Sequence, residues 1–475
     1  MSVGRGAVWA ALGMALPIAG CAAVGPDYVR PAAIVPTQYK EFKGWKLATP
    51  HDDFAGGEWW KVFRDHVLDT LEAQVAISNQ TLKADEANYR EALALIAEAR
   101  AGLFPTLNFN PSLTRAASEG AVSNVLDAQV TGTWAPDIWG KVRRAIEEQG
   151  AAAQVSAADL AAATLSAQSS LALAYVQLLE ADALDDLLRD TVKQYQHSLE
   201  ITQNQYNAGT SAKSDVITAQ AQVLAAQAQE IAVATTRAQN EHAIAVLMGR
   251  PPSDLSIART KLPPGVPAFP VRMPSTLLER RPDIAAAERT MAEQNAAIGV
   301  AIAGYYPDIT LSGSVGYQGN PFVKQIAGAN PVWSYGLSLA QPLFNGGLTD
   351  AQVEAARQTY TASVATYRQT VLTAFQQVED QLEAIPTLSR ELRVQEEAVK
   401  AAEQAVQIAL NEYSAGTQNF TTVVTAQATA LSDEEAVLTT RVQRLTGVVT
   451  LIVALGGGWS TADLPKAPDL PNPTP

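Results

Sequence analysis

The second half of the chain repeats the first half, and this duplication constrains the fold more than any local pattern does. Tyr206-Asn207-Ala208-Gly209-Thr210 matches Tyr413-Ser414-Ala415-Gly416-Thr417 at an offset of 207 residues, and Gly249 matches Gly456 at the same offset. Upstream, Ala101-Gly102-Leu103-Phe104-Pro105 matches Ala303-Gly304-Tyr305-Tyr306-Pro307 at an offset of 202 residues. The two halves are therefore expected to contain the same elements in the same order.

Proline-rich segments divide the chain. Residues 249–274 contain seven prolines, so no continuous helix can cross them, and we interpret this segment as a linker. Repeat 1 then covers residues 61–248 and repeat 2 covers residues 275–458. The proline-rich tail, residues 459–475, is expected to be extended rather than packed.

Each repeat is predicted to contain a long helical hairpin, at about 141–248 and about 347–456. The first helices, 141–206 and 348–413, are rich in alanine, glutamine, leucine and glutamate and contain Gly150 and Pro386 as their only glycine or proline. Gly209 and Gly416 are predicted to allow the reversal. In the returning helices apolar residues recur every seven positions, which indicates supercoiling against a neighbour: Val424, Leu431, Leu438, Leu445 and Ile452, and in the first copy Ile217, Leu224, Ile231, Ala238 and Ala245. An ordinary long-helix bundle fits the helices alone equally well.

Between the helices the apolar period changes to two, which predicts strand pairs at about 105–136 and 307–342. The length of each run fits a tilted membrane strand, although a half-buried sheet in a soluble protein alternates in the same way. Four aromatic residues are candidates for the membrane interface: Trp134, Tyr317, Trp333 and Tyr335. Four strands cannot close a barrel in lipid, so other copies must complete the sheet. Two copies give eight strands and a filled interior, whereas three give twelve and a lumen.

The N-terminus has the layout of a secreted protein. Residues 1–20 carry one charge, Arg5, and an apolar stretch too short to span a bilayer, which is typical of a signal peptide. They end in Ile18-Ala19-Gly20-Cys21, which resembles a bacterial lipobox, so Cys21 is the predicted lipidation site; a plain signal peptide with a chance cysteine is the alternative. Residues 21–60 would form a lipid-anchored, extended segment, and Ala22, in place of aspartate, favours the outer membrane.

Composition excludes several classes of function. A net charge of −14 argues against nucleic acid, which needs a basic surface. The single cysteine excludes a disulfide framework, and the four histidines show no ligand spacing, so we expect no metal and no cofactor besides the lipid on Cys21. The motifs of phosphate loops, zincins and serine hydrolases are missing from the sequence, which disfavours an enzyme.

These features together resemble the TolC-type outer-membrane efflux channel family, in its lipoprotein branch serving resistance-nodulation-division pumps. The resemblance rests on Cys21 with Gly25-Pro26-Asp27-Tyr28-Val29-Arg30-Pro31, on the doubled Tyr-x-Ala-Gly-Thr turns and on Arg280-Arg281-Pro282-Asp283-Ile284. It implies a mainly α-helical homotrimer, with a 12-stranded β-barrel in the outer membrane continued by a barrel of long helices across the periplasm. It further implies a periplasmic adaptor and an inner-membrane transporter as partners, with passive transport through the channel.

The resemblance also assigns roles to residues near the helical turns. The predicted contacts with the adaptor are Gln203, Tyr206, Gly209, Thr210, Tyr413, Gly416 and Thr417. Family members usually constrict this end with carboxylates after the second turn, where this chain has Thr422 and Thr425, while the first copy retains Asp215. Three copies of Asp215 would form an acidic ring, although an aspartate in a first helical turn is also common without any such role.

The sequence therefore predicts an outer-membrane exit duct for drugs or other small molecules. Two other interpretations stay open: a lipoprotein whose helices only bind partners and enclose no lumen, and a periplasmic hydrolase. The cargo stays open among antibiotics, metal ions, siderophores and solvents.

Overall fold

A computed structural model describes residues 23–33, 35–41, 57–118, 120–267, 277–319 and 330–465. The predicted signal peptide and Cys21 lie outside the described residues. The described elements follow one order in each half: two helices, two strands and two long helices. Their bounds are α1 His66–Ser78, α2 Gln80–Ala101, β1 Thr106–Ser118, β2 Ala121–Trp134, α3 Lys141–Asn207, α4 Lys213–Leu247, α5 Leu277–Arg280, α6 Pro282–Ala303, β3 Asp308–Gly319, β4 Asn330–Ala340, α7 Leu348–Ser414 and α8 Phe420–Ala454.

The longest helices, α3 and α7, have 67 residues each, and α7 continues through Pro386. Both reverse through the same turn. Gly209 and Gly416 adopt φ of 76° and 72°, the left-handed region that glycine enters at little cost. The amides of Thr210 and Thr417 then donate to carbonyls five residues upstream, Gln205 and Glu412, at 2.9 Å each. Both reversals are thus closed by the same backbone bonds.

The four strands form one antiparallel sheet in the order β1-β2-β3-β4. Val130 lies opposite both Phe109 and Val315, and Val315 lies opposite Trp333, so these side chains share one face. The other face carries small and polar residues, among them Ser314 and Ser334, whose hydroxyls are 2.8 Å apart. The predicted alternation is therefore continuous across all four strands.

The helices form a row in which each contacts the next. Near the turns the order is α4-α3-α8-α7, and near the sheet it is α2-α3-α6-α7. The main core lies between these two regions, where Trp59, Tyr175, Ile244, Tyr367 and Leu451 are buried. By length and apolar composition α8 alone among the described helices is a candidate membrane span, but 56% of its most apolar window is buried in the chain, as in a core helix.

The predicted heptad of α8 packs inside the chain, whereas in α4 only the last member of the predicted heptad, Ala245, is buried. Leu445 and Ile452 are buried, while Ile217, Leu224 and Ile231 lie exposed on the free side of α4. The stripe of α4 that contacts α3 is shifted by one residue in the sequence. Its buried members are Val216, Ala219, Val223, Ala226 and Val233. The two stripes are adjacent on the helix, so α4 has one apolar face for α3 and a second without a partner in the described part of the chain.

The ends of the long hairpins are packed alike in both repeats. Asn79, the N-cap of α2, donates its amide to the Leu247 carbonyl at the end of α4, at 2.8 Å. In repeat 2, Arg281 donates to the Ala454 carbonyl at the end of α8, at 3.0 Å. Asp283 pairs with this arginine at 2.7 Å. The Arg-Pro-Asp motif thus joins the start of α6 to the end of α8.

The N-terminal strap, which we define as residues 23–33 and 35–41, crosses the helices from the sheet end toward the core. Its Val24 amide donates to the Trp139 carbonyl at 3.0 Å, next to the sheet. The buried Arg144 of α3 donates to the Val24 and Gly25 carbonyls and pairs with Asp27 at 2.8 Å. At the other end, the amides of residues 40 and 41 donate to the carboxylate of Glu379 on α7. The strap therefore fixes Val24, three residues after Cys21, beside the end of the sheet.

Candidate functional site

The helical tip, which we define as residues 203–215 and 413–425, contains all the predicted adaptor-contact and constriction residues. Gly209, Thr210, Gly416 and Thr417 are exposed at the two turns. Gln203 is half-buried, and its amide donates to the side chain of Asn207 at 3.0 Å. Tyr206 is 40% exposed, whereas its repeat partner Tyr413 is only 4% exposed. The ring of Tyr413 packs on Phe420 with centroids 5.2 Å apart. The prediction that Tyr413 forms a contact surface like that of Tyr206 is therefore not supported, because its ring is inside the tip.

Tyr413 instead links the two hairpins. Its hydroxyl lies 3.0 Å from the hydroxyl of Ser211, which donates to the carboxylate of Asp215 at 3.0 Å. Gln205 adds a second link, because its amide donates to the backbone carbonyl of Tyr413 at 3.1 Å. We call these three contacts the tip link. Asp215 thus accepts a hydrogen bond within its own chain.

A third polar contact joins the hairpins farther from the tip. The buried amide of Gln427 on α8 donates to the Ser198 hydroxyl on α3 at 2.8 Å. No pattern in the sequence predicts these roles for Gln205, Ser211, Ser198 or Gln427. The repeat does not separate Gln427 from its counterpart in α4, Gln220, which is exposed in the structure. Only one of the two equivalent glutamines therefore lies between hairpins.

Thr422 and Thr425, at the usual position of the constricting carboxylates, satisfy their hydroxyls locally. Thr422 bonds to Asn419, the N-cap of α8, and Thr425 donates to the backbone carbonyl of Thr421 at 2.9 Å. Both side chains are exposed and neutral. Asp215 is therefore the only acidic residue of the three candidates.

A group of carboxylates lies between α3, α7 and α8, on the side of the tip that is nearer the main core. Burial raises the pKa of Glu434, and the negative charges of Glu403 and Asp190 raise it further. Lys400 lines the same groove. Acidic clusters that could hold a metal are not found in the described ranges of the chain.

The predicted interface aromatics all lie on the apolar face of the sheet, but at different heights. Trp134 ends β2 on the helical side, and its indole donates to the Leu103 carbonyl at 2.9 Å. Tyr317 lies near the opposite end of β3. Trp333 and Tyr335 stack with ring centroids 5.9 Å apart, and Tyr335 lies opposite Gly313, near the middle of the strands. Tyr335 therefore lies away from both ends of the strands, where a membrane-interface residue is expected.

Both in the sheet and near the tip, the outermost elements of the described chain have a neighbour on one side only. In the described sheet β1 and β4 pair on one side only. Near the tip the outer helices are α4 and α7, and each exposes an apolar heptad. The members are Ile217, Leu224 and Ile231 on α4, and Val394, Ala401 and Ile408 on α7. A sheet edge and an apolar stripe are surfaces that proteins normally cover.

The chain matches the outer membrane efflux protein family over residues 71–250 and 273–457. It is 29% identical to the toluene efflux pump outer membrane protein TtgC of Pseudomonas putida, over 93% of both chains. It is also 29% identical to the pyoverdine export outer membrane protein OpmQ of Pseudomonas aeruginosa, over 85% of this chain and 88% of that protein.

Solved structures share the whole architecture. The outer-membrane channel OprN superposes with a TM-score of 0.83 at 29% identity, over 92% of this chain and 99% of that one. The Campylobacter jejuni CmeC outer membrane channel superposes with a TM-score of 0.84 at 21% identity, over 93% and 96%, which supports the fold. The predicted fold class is confirmed: a mainly helical channel protein with four strands and two repeats. On its sequence the chain belongs to the outer membrane efflux protein family.

Proposed function

We propose that this protein is the outer-membrane exit duct of a tripartite efflux pump, which conducts small molecules passively out of the cell. The observation that carries this function is the sheet, which has one apolar and one polar face and two unpaired edges. Such a sheet is stable in lipid only when closed around a polar interior. The family and the named relatives are efflux proteins, which supports a transport role rather than an enzymatic one.

We propose that three copies close the channel, and the helical edges support this. Ile217 on α4 and Ile408 on α7 each lie eight residues from the nearer turn glycine. Leu224 and Ala401 each lie fifteen residues away, and Ile231 and Val394 each lie twenty-two. Helices that start from turns at one level therefore present these residues at equal heights. The exposed stripe of α4 in one copy fits the exposed stripe of α7 in the next.

Disulfide cross-linking tests this assembly. The double variant Leu224→Cys, Ala401→Cys is expected to give covalent dimers and trimers on non-reducing gels after mild oxidation. The control pair Leu224→Cys, Ile408→Cys places the thiols one heptad apart, about 10 Å along the helix, which is too far for a disulfide. Equal cross-linking of both pairs, or a soluble monomer that needs no detergent, would contradict the proposal.

We further propose that the tip receives a periplasmic adaptor, which joins the duct to an inner-membrane transporter. The exposed turns at Gly209 and Gly416 and the exposed ring of Tyr206 support a contact surface there. TtgC is named for toluene and OpmQ for pyoverdine, which are very different molecules. In this proposal the transporter selects the cargo. A lipoprotein that only binds partners would show no conductance in planar bilayers, which distinguishes it from the duct.

We propose that Cys21 carries the N-terminal lipid. The strap supports this, since it fixes Val24 beside Trp139 at the end of the sheet, where a lipid three residues away reaches the membrane. Cys21→Ala is expected to abolish lipidation, detected by mass spectrometry of the N-terminus, and to leave the channel folded. An unmodified thiol in the wild-type protein would contradict the assignment.

We propose that Asp215 narrows the tip, both as an acidic ring and through the tip link. Asp215→Ala removes the acceptor for Ser211 and three charges per trimer, so we expect higher single-channel conductance and weaker block by multivalent cations. Thr422→Ala, a neutral change at the same level, is the control. Unchanged conductance and block in Asp215→Ala would place the constriction elsewhere.

A further inference from the structure

Two phenylalanines at opposite edges of the chain are exposed at the junction of sheet and helices. Phe344, between β4 and α7, is 92% exposed, and its neighbour Leu343 is 96% exposed. Phe104, between α2 and β1, is 65% exposed. Because β4 ends and β1 begins on the helical side of the sheet, both phenylalanines lie at the same level.

The corresponding segments of the other repeat are in contact within the chain. Trp139 lies between β2 and α3, the position that corresponds to the segment of Phe344. Its ring stacks on Tyr306, between α6 and β3, with centroids 4.9 Å apart. Its indole also donates to the Pro307 carbonyl at 2.8 Å. The contact joins the β2–α3 connection of repeat 1 to the α6–β3 connection of repeat 2.

The internal repeat relates the two sets of residues. Tyr306 corresponds to Phe104 at the offset of 202 residues. Trp139 and Phe344 lie in equivalent connections, each beginning with a proline, although Phe344 is two residues after Pro342 and Trp139 is three residues after Pro136. Those connections end at Gly140 and Gly347, which have left-handed φ of 79° and 85° and precede α3 and α7. Trp139 finds its partner because repeat 2 follows repeat 1 in the same sheet. For Phe344, the next repeat 1 belongs to another molecule.

We propose that Phe344 of one copy packs on Phe104 of the next copy and forms an aromatic clasp between subunits. Leu343 covers the clasp from the side, which accounts for two adjacent, almost fully exposed apolar residues. The occupant is a second copy of this chain, argued from the equivalent contact inside the chain. The inference rests on the proposed trimer and specifies how its subunits are joined at the junction of sheet and helices.

The experiment is disulfide cross-linking in detergent-solubilised, full-length protein. Phe344→Cys with Phe104→Cys is expected to give covalent dimers and trimers, while each single variant stays monomeric on non-reducing gels. Phe344→Cys with Tyr306→Cys is the matched control, because Tyr306 holds the equivalent place but already faces Trp139 of its own chain. This control pair is expected to remain uncross-linked.

The pair Leu224→Cys, Ala401→Cys separates failure of the clasp from failure of the trimer. If this helical pair cross-links and the Phe344, Phe104 pair does not, the clasp is wrong and the trimer stands. If neither cross-links, both are wrong. Insertion of Phe344 into lipid instead of the clasp predicts quenching of a Phe344→Trp variant by brominated lipids without cross-linking at position 104, and this result would also overturn the proposal.

A second measurement covers the case in which the cysteines impair folding. Phe344→Ser is expected to lower the temperature at which trimers dissociate on gels, and Phe344→Trp is expected to restore it, because the indole of Trp139 stacks on Tyr306 from the equivalent connection of repeat 1. Val122→Ser, another exposed apolar residue on the sheet but away from this junction, is the control. Equal effects of the Phe344→Ser and Val122→Ser variants would contradict a clasp.

Discussion

Replacing Val315 by arginine is expected to prevent most of the protein from assembling in the outer membrane. Val315 lies near the middle of β3 on the apolar face, between Val130 and Trp333 of the neighbouring strands. Arginine on the lipid side of a barrel costs about 2–4 kcal/mol near the bilayer midplane, and each copy in the channel bears this cost. The measurement is the fraction of heat-resistant trimer recovered from outer membranes.

Ser312→Arg is the matched control for this variant. Ser312 lies three residues away on the same strand, equally close to its middle, but on the polar face opposite Thr133 and Gly336. We expect normal assembly and an altered conductance, because the new charge then faces the lumen. If only the Ser312 variant fails to assemble, the polar face is toward the lipid and the proposed orientation of the sheet is wrong.

Replacing Gly456 by alanine is expected to destabilise the helical region by about 3 kcal/mol or more. Gly456 follows α8 with a φ of 95°, and a Cβ there would lie 2.1 Å from the Arg280 carbonyl oxygen. Both the left-handed backbone and the clash with another backbone segment oppose a side chain. Gly249 shows the same arrangement in repeat 1, with the Cβ 2.0 Å from the Ser78 carbonyl oxygen. Thermal unfolding followed by circular dichroism measures the change.

Gly416→Ala is the control, because it tests the cost of the left-handed backbone without a steric clash. Gly416 has a φ of 72°, but a Cβ added there would meet no atom of the described chain within 4 Å, so we expect a loss of only about 1–2 kcal/mol. If both alanine variants unfold at the same temperature, the close approach to Arg280 contributes nothing.

Much of the fold follows from the sequence because the repeat and the change of apolar period are strong, local signals. They predict both strand pairs and the ends of the long helices within a residue or two, including the passage of α7 through Pro386. The heptad of α4 shows what spacing in the sequence does not reveal. Spacing reveals that Ile217, Leu224 and Ile231 form a stripe, but not whether the stripe faces α3 or another molecule.

The two turns of the tip can be predicted from the sequence, whereas its side-chain contacts are harder to predict. Glycine and the repeat locate both reversals, since few other residues adopt the required backbone. The burial of Tyr413 depends on Phe420, whose counterpart in repeat 1 is Lys213, so a match between tyrosines does not imply a match in environment. Long-range pairs, such as those of Ser198 with Gln427 or of the strap with Glu379, leave no local pattern in the sequence.

The proline-rich connection between the repeats has a consequence for how a channel is built. A ring of six equivalent half-units needs six separate molecules to meet, and each encounter loses translational and rotational freedom. Fusing the half-units in pairs makes every second encounter intramolecular, at the high effective concentration of a tether. Assembly then takes two association steps between three chains instead of five between six separate half-units, and the covalent partner of each half-unit is always present in the correct order.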